Sequence, residues 1–220
     1  MVIVEGPSDD EALELLFNRI YDQNVVHVEI VHGDITTTTD SAHIVAKIGD
    51  FVRIRSTRYF LKQSDYQEVI HLVDTDGCFI PDSSVILDSS AEKPFYTEQG
   101  IRTVNPDGIC FRNRKKRDNV KRLASLNHVW RSIPYSVYYM SCNLDHVLYN
   151  KLNSTDEDKE RDAIAFAKKY KDDVPGFIAY MTKSDFSVCE DYRKSWNYIQ
   201  EDRHSLKRHS NLGIAFLKSS

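Results

Sequence analysis

Three carboxylates stand at the ends of short apolar runs. Glu5 follows Val2-Ile3-Val4 and is followed by Gly6-Pro7, which ends the run. Asp74 and Asp76 follow Val69-Ile70-His71-Leu72-Val73 and lead into Gly77. In extended chain, side chains two apart share a face, so both Asp carboxylates are expected on one side. Gathering such groups is costly, since two unit charges ~4 Å apart repel by roughly 4 kcal/mol at an effective dielectric of about 20. Hard divalent cations relieve that repulsion, and an all-oxygen set suits Mg2+ or Mn2+. An Asp-x-Asp turn after a strand is common by itself, and Glu5-Gly6 says less still. The combination at two strand ends is what points to a metal site.

The elements around these residues alternate. Val2-Ile3-Val4 reads as a strand buried on both faces. Ser8, three residues before Glu11, has the spacing of a capping box. The stripe Ala12, Leu13, Leu16, Phe17 and Ile20 then predicts a helix through Tyr21. Val25 to Val31 reads as a second strand closed by His32-Gly33-Asp34, and Ser41 to Phe60 as a second helix. With Val69 to Val73 as the third strand, the order is that of βαβ units in a parallel sheet. Ligands in such sheets bind at the carboxyl ends of the strands, where Glu5, Asp74 and Asp76 fall.

Beyond Gly77 the periodicity lapses, and residues 78–113 read as an irregular insertion with one hairpin. A helix is expected from Asp118 to Trp130, a fourth strand from Tyr135 to Met140, and a helix from Leu144 to Leu152. Residues 1–153 would form the α/β domain and residues 154–220 a helical C-terminal extension or subdomain, with helices at Asp156 to Tyr170, Phe177 to Thr182 and Asp191 to Ile199.

The stretches Val4-Glu5-Gly6-Pro7-Ser8-Asp9-Asp10-Glu11 and Leu72-Val73-Asp74-Thr75-Asp76-Gly77 together resemble the Toprim family. That family has a strand-terminal Glu-Gly and a downstream strand-terminal Asp-x-Asp. It includes topoisomerases, bacterial primases, ribosomal-RNA maturation nucleases and the overcoming-lysogenization-defect nucleases. The resemblance spans roughly residues 1–150, with its specific motifs confined to those two stretches. It implies a Toprim-like, Rossmann-like α/β fold, with a parallel sheet of about four strands flanked by helices. It also implies phosphodiester chemistry with Mg2+ (or Mn2+), in which Glu5 acts as metal ligand or general acid/base and Asp74 and Asp76 hold the metal. Asp9 matches an acidic position that often follows the Glu in the lysogenization-defect branch, and Gly33 matches a small residue after the second strand. A later acid in that branch makes Asp145 the candidate ligand for a second ion, with His146 beside it. A two-ion site stabilises the attacking and leaving oxygens of an in-line displacement. Alternatively, Asn143 caps a helix and Asp145 favours its N-terminus.

Strand passage and priming need machinery that this chain does not display, so the expected activity is a nuclease hydrolysing DNA or RNA. Standalone members resemble proteins that work beside an ATPase in phage defence. The sequence has no GxxxxGK[ST] loop, so an ATPase would be a separate partner. The densest basic run, Arg112, Arg114, Lys115, Lys116, Arg117, Lys121 and Arg122, is either a phosphate-contacting surface or the solvated face of a helix, and Lys151 is a further phosphate candidate.

Composition sets bounds on this reading. The formal net charge of -4 gives no global nucleic-acid signal, so any electropositive surface must be local. No apolar stretch is long enough to span a bilayer, and the strand-like start leaves no room for a signal peptide. The four scattered cysteines lack zinc spacing and are expected to be reduced, with a cytoplasmic location. Asp74-Thr75-Asp76-Gly77 also superficially matches haloacid-dehalogenase phosphatases, in which the motif ends the first strand, and metal-binding DxD glycosyltransferases. Neither rival uses Glu5-Gly6. A non-cleaving Toprim-scaffold subunit of an ATPase complex is the alternative of a different class.

Overall fold

A computed structural model describes residues 1–21, 28–30 and 33–217. The chain opens with strand β1 (Val2–Val4), helix α1 (Pro7–Ile20) and strand β2 (Val28–Ile30). The remainder of the expected Val25 to Val31 strand, and His32, lie outside the described residues. A single turn, α2 (Ile35–Thr38), and the longer α3 (Ile44–Tyr59) lead to β3 (Val69–Asp74). Helix α1 is capped differently from the expected Ser8/Glu11 box. Gly6 is its N-cap, Pro7 occupies the first turn, and the Asp9 carboxylate accepts from the Gly6 N–H at 2.9 Å. Pro7 supplies a preset φ where no helical N–H is needed, which moves the start forward.

Residues 78–113 hold more structure than a hairpin. Strands β4 (Val85–Leu87), β5 (Phe95–Thr97) and β6 (Gly100–Thr103) form a small sheet in the order β4-β6-β5, mixed in direction. Helix α4 (Pro106–Ala124) starts well before the expected Asp118, at the Asn105 cap, whose side chain accepts from the Gly108 N–H at 3.0 Å. It ends before Trp130. Its buried stripe runs Ile109, Asn113, Lys116, Val120 and Leu123 at helical spacing. Two polar residues in that stripe hide its period from a hydrophobicity reading. A two-residue β7 (His128–Val129) then pairs antiparallel with β8 (Ile133–Met140), adding a fifth strand to the expected four.

The main sheet has the order β2-β1-β3-β8-β7, its first four members parallel. The chain is therefore α/β, with mixed sheets. Alternation sorts the sheet residues between two cores. Val2, Val4, Ile70, Leu72, Tyr138 and Met140 face α1, while Ile3, Val69, Val73, Val137 and Tyr139 face α3 and α4. After β8 come α5 (Leu144–Tyr149), α6 (Asp156–Tyr170), α7 (Val174–Lys183), α8 (Tyr192–Tyr198) and α9 (Gly213–Leu217). Phe166, Phe177, Met181 and Phe216 from these helices fill the same core as Leu13, Leu16 and Phe17 of α1, and Trp196 joins the opposite one. The four cysteines are free thiols. Among the described residues, no helix is long and apolar enough to cross a membrane.

Candidate active site

The connection from β1 runs to β2 on one side, and the chain then returns to β3 on the other. This is the topological switch point, where open parallel sheets form a crevice beyond their strand ends. Glu5 leaves β1 there and Asp74 ends β3, so the expected convergence of the two strand ends is present. Glu5 Oε1 is buried and has no hydrogen-bond partner among the described residues. The Glu5 carbonyl accepts from the Gly33 N–H at 3.1 Å, and Gly33 has φ 106, a backbone conformation that glycine adopts without penalty.

Asp76 is placed differently from the expectation of an extended Asp-x-Asp. Its φ is 46, so the chain turns left-handed after β3, and strand alternation no longer relates the two carboxylates. The turn is held from below. The Asp76 N–H donates to Cys142 O at 2.8 Å, and Thr75 Oγ1 donates to Ser205 O at 3.0 Å while accepting from the Cys142 N–H at 2.8 Å. Thr75, the middle residue of the motif, is thus structural. Gly77 has φ 65, and a Cβ there would fall 2.5 Å from Leu206 Cδ2, so a side chain at this turn would be strained and would have to displace Leu206.

Asp76 faces Lys116. The Lys116 side chain is 0% exposed, with Nζ at 2.5 Å from Asp76 Oδ2 and 2.8 Å from Asp34 Oδ2. Both readings of the basic run, phosphate-contacting surface or solvated helix face, put Lys116 at the surface. Its position on the inward stripe of α4 places it instead beneath the acids. Asp34 also caps α2, its Oδ1 accepting from Thr36 N at 2.8 Å and Thr37 N at 3.2 Å. Asn119, one turn beyond Lys116, donates to Thr36 O at 2.7 Å and Thr39 O at 2.8 Å, which docks α4 on α2 and fixes the lysine. Arg112 donates to the Asp76 carbonyl at 2.9 Å and to Tyr96 Oη at 2.6 Å, tying the small sheet to the same turn. Sequence reading missed Asp34, and the only signal was its position after a strand beside Gly33.

Of the other candidates, Asp9 stays close enough for its charge to act on Glu5 and Asp74, while the rest have partners of their own. Asp9 is engaged in capping Gly6. Asp145 is buried in the first turn of α5, behind Asn143, which caps that helix by accepting from His146 N at 2.9 Å. The helix-cap arrangement is therefore present, and Asp145 acts electrostatically on Asp9. Lys151 pairs with Asp162. Of the basic run, Arg114 lies 3.9 Å from Asp82 and Lys115 lies 3.1 Å from Asp40. Arg114, Lys121 and Arg122 reach the surface and Arg117 is half-exposed.

These positions have electrostatic consequences. Burial pushes Glu5 well above the usual carboxylate range, and Asp34, Asp76 and Asp9 push it further against the opposing pull of Lys116. Burial and then the Glu5 and Asp9 charges raise Asp74 in the same way, and burial raises Asp9 to about 6. For Asp34, burial acts upward, but the Lys116 ammonium and the bonds from Lys116 and Thr36 outweigh it and hold the group low. Burial would depress Lys116, yet Asp76, Glu5, Asp34 and Asp74 together keep it charged. The Lys116 ammonium is thus in direct contact with Asp34 and Asp76. Glu5 and Asp74 feel its charge without such a contact.

No group of three or more His, Cys, Asp and Glu side chains among the described residues stands in metal-holding geometry. The reason is visible in the contacts: Asp76 and Asp34 are paired with Lys116, and Asp9 caps a helix. The unpartnered Glu5 Oε1 beside the partly buried Asp74 carboxylate nevertheless fits a hard cation, which would supply further positive charge. No family model matches this chain, and neither do any curated protein or solved structure.

Proposed function

We propose that this chain is a divalent-metal-dependent phosphodiesterase that hydrolyses DNA or RNA, using Glu5 and the Asp74 turn in a Toprim-like manner. The observation that carries this reading is the buried, unpartnered Glu5 Oε1, next to Asp74 at the switch point of a parallel sheet. A carboxylate pair in that state lowers its free energy by taking a hard cation. Mg2+ or Mn2+ would sit on Glu5 and Asp74; when bound, such an ion stabilises charge on phosphoryl oxygens and makes its water acidic. Glu5 would act either as a ligand of that ion or, with the ion on Asp74, as the base that takes the proton of an attacking water. Asp76 belongs to the site through Lys116, which holds it in place, and Arg112 stiffens the turn from its carbonyl side. The exposed Arg114, Lys121 and Arg122 of α4, with the half-exposed Arg117, offer a basic face for the phosphate backbone.

The reading is tested by incubating the purified chain with plasmid DNA, single-stranded DNA and structured RNA in Mg2+ or Mn2+. An Asp74→Ala/Asp76→Ala variant and Glu5→Gln serve as controls. Metal-dependent cleavage lost in both variants supports it. A folded chain that cleaves none of the three substrates overturns it. Phosphatase activity on small phosphoesters that survives Glu5→Gln would overturn it in favour of DxD phosphatase chemistry.

A further inference from the structure

Within the acid cluster the Lys116 ammonium is bonded directly to two of the carboxylates and acts on Glu5 only through its charge, which bears on how many ions the cluster takes. On one side, Asp34 and Asp76 share the Lys116 ammonium, which is wholly buried and hydrogen-bonded to an oxygen of each. The same side has a second cation in contact, the Arg112 guanidinium on the Asp76 carbonyl. On the other side, Glu5 keeps a buried oxygen with no partner among the described residues, and the charges acting most strongly on Asp74 are those of Glu5 and Asp9.

We propose that Lys116 is a built-in second cation: its ammonium fills the gap between Asp34 and Asp76 that a second divalent ion would occupy, so the site takes one ion, on Glu5 and Asp74. This rests on the metal-dependent reading above. An ammonium and a divalent ion compete for the same carboxylate oxygens, and their mutual repulsion disfavours both in one gap. Lys116 cannot simply swing aside. Its helix is docked through the two Asn119 bonds to α2, and the side chain is enclosed on all sides. Lys116 is therefore a positioning residue, since it holds Asp34 and Asp76 and acts on Glu5 by its charge, not on the substrate.

The test is to count ions directly, using Mn2+ alone with the full chain, by isothermal titration and by the electron paramagnetic resonance signal of free Mn2+. Wild type is expected to bind one Mn2+. Asp74→Asn is expected to weaken that binding at least ~10-fold, whereas Asp76→Asn changes it less than ~3-fold; asparagine tolerates the left-handed backbone at that position. Lys116→Met empties the gap and is expected to bind two ions, and its melting temperature should respond to Mn2+ more than that of wild type. Two ions in wild type overturn the proposal, as does an Asp76→Asn that loses Mn2+ as fully as Asp74→Asn. A folded Lys116→Met that still takes one ion overturns it too. If Lys116→Met fails to fold in either EDTA or Mn2+, the Asp74/Asp76 contrast decides. Wild type that binds no Mn2+ removes both this proposal and the metal-dependent function. One bound ion without cleavage of any nucleic acid removes the function alone.

Discussion

Glu5 and Asp74 are held in a state that disfavours their charged forms, and this makes stability depend on pH with a definite sign. A carboxyl whose folded pKa lies above its unfolded value of about 4 binds more protons when folded. Its contribution therefore falls as pH rises through the window beginning near that unfolded value. In EDTA at pH 8, Glu5→Gln and Asp74→Asn should each raise the melting temperature, and Mn2+ should shrink or reverse the difference. Unchanged or lowered melting in EDTA would contradict the burial argument. Lys116 has the opposite sign. Removing one partner of a buried ion pair costs about 3–5 kcal/mol. Lys116→Met should therefore lower the urea midpoint strongly at pH 7 without divalent ions. The Asp34 share of that stability is present above the unfolded carboxylate pKa and is lost as pH falls through the depressed folded value. The penalty of Lys116→Met should accordingly narrow in acid.

Helix α4 is the element that links the basic run to the acids, and its two faces have separate duties. The inward stripe carries Lys116 and Asn119, while Arg114, Lys121 and Arg122 point outward. Charge reversal on the outer face, as in Lys121→Glu with Arg122→Glu, should leave the fold intact. If those residues contact phosphates, it should weaken nucleic-acid binding and reduce the slope of log K against log salt by about one per lost contact. Fluorescence anisotropy across a salt series reads this, and an unchanged slope would exclude that face. The turn between β3 and α4 makes a separate demand on backbone shape. Gly77→Ala meets both a positive φ and the Leu206 side chain, so a loss of about 1–3 kcal/mol is expected in urea unfolding.

Across the whole molecule, the C-terminal third acts as a brace for the site. Ser205 O receives the Thr75 hydroxyl and the Cys142 N–H, and Asn211 Oδ1 receives the Tyr139 N–H at 2.8 Å, so residues near the C-terminus fix the carboxyl edge of β3 and β8. Phe166, Phe177 and Phe216 complete the core under α1. A fragment of residues 1–153 would expose that apolar face, and circular dichroism melts should give it no cooperative transition. A fragment that folds cooperatively would overturn the shared-core view. Within the full chain, Phe177→Ala should cost about 3–5 kcal/mol, being fully buried.

The alternation of strand and helix through Val73, the burial of β1 on both faces, and the placing of Glu5 and Asp74 at strand ends were all legible in the residues. Each follows from local periodicity and from chain connectivity, which a linear sequence carries directly. The start of α4 was not legible, because Asn113 and Lys116 occupy core positions that hydrophobicity counts as surface. The left-handed turn at Asp76 was equally hidden, since Ser205, Leu206 and Cys142, far along the chain, impose it. Above all, the union of Asp34, Asp76 and Lys116 was decided only in three dimensions. A lysine in a basic run looks solvated until packing removes its water, and then charge alone dictates which acids it must meet.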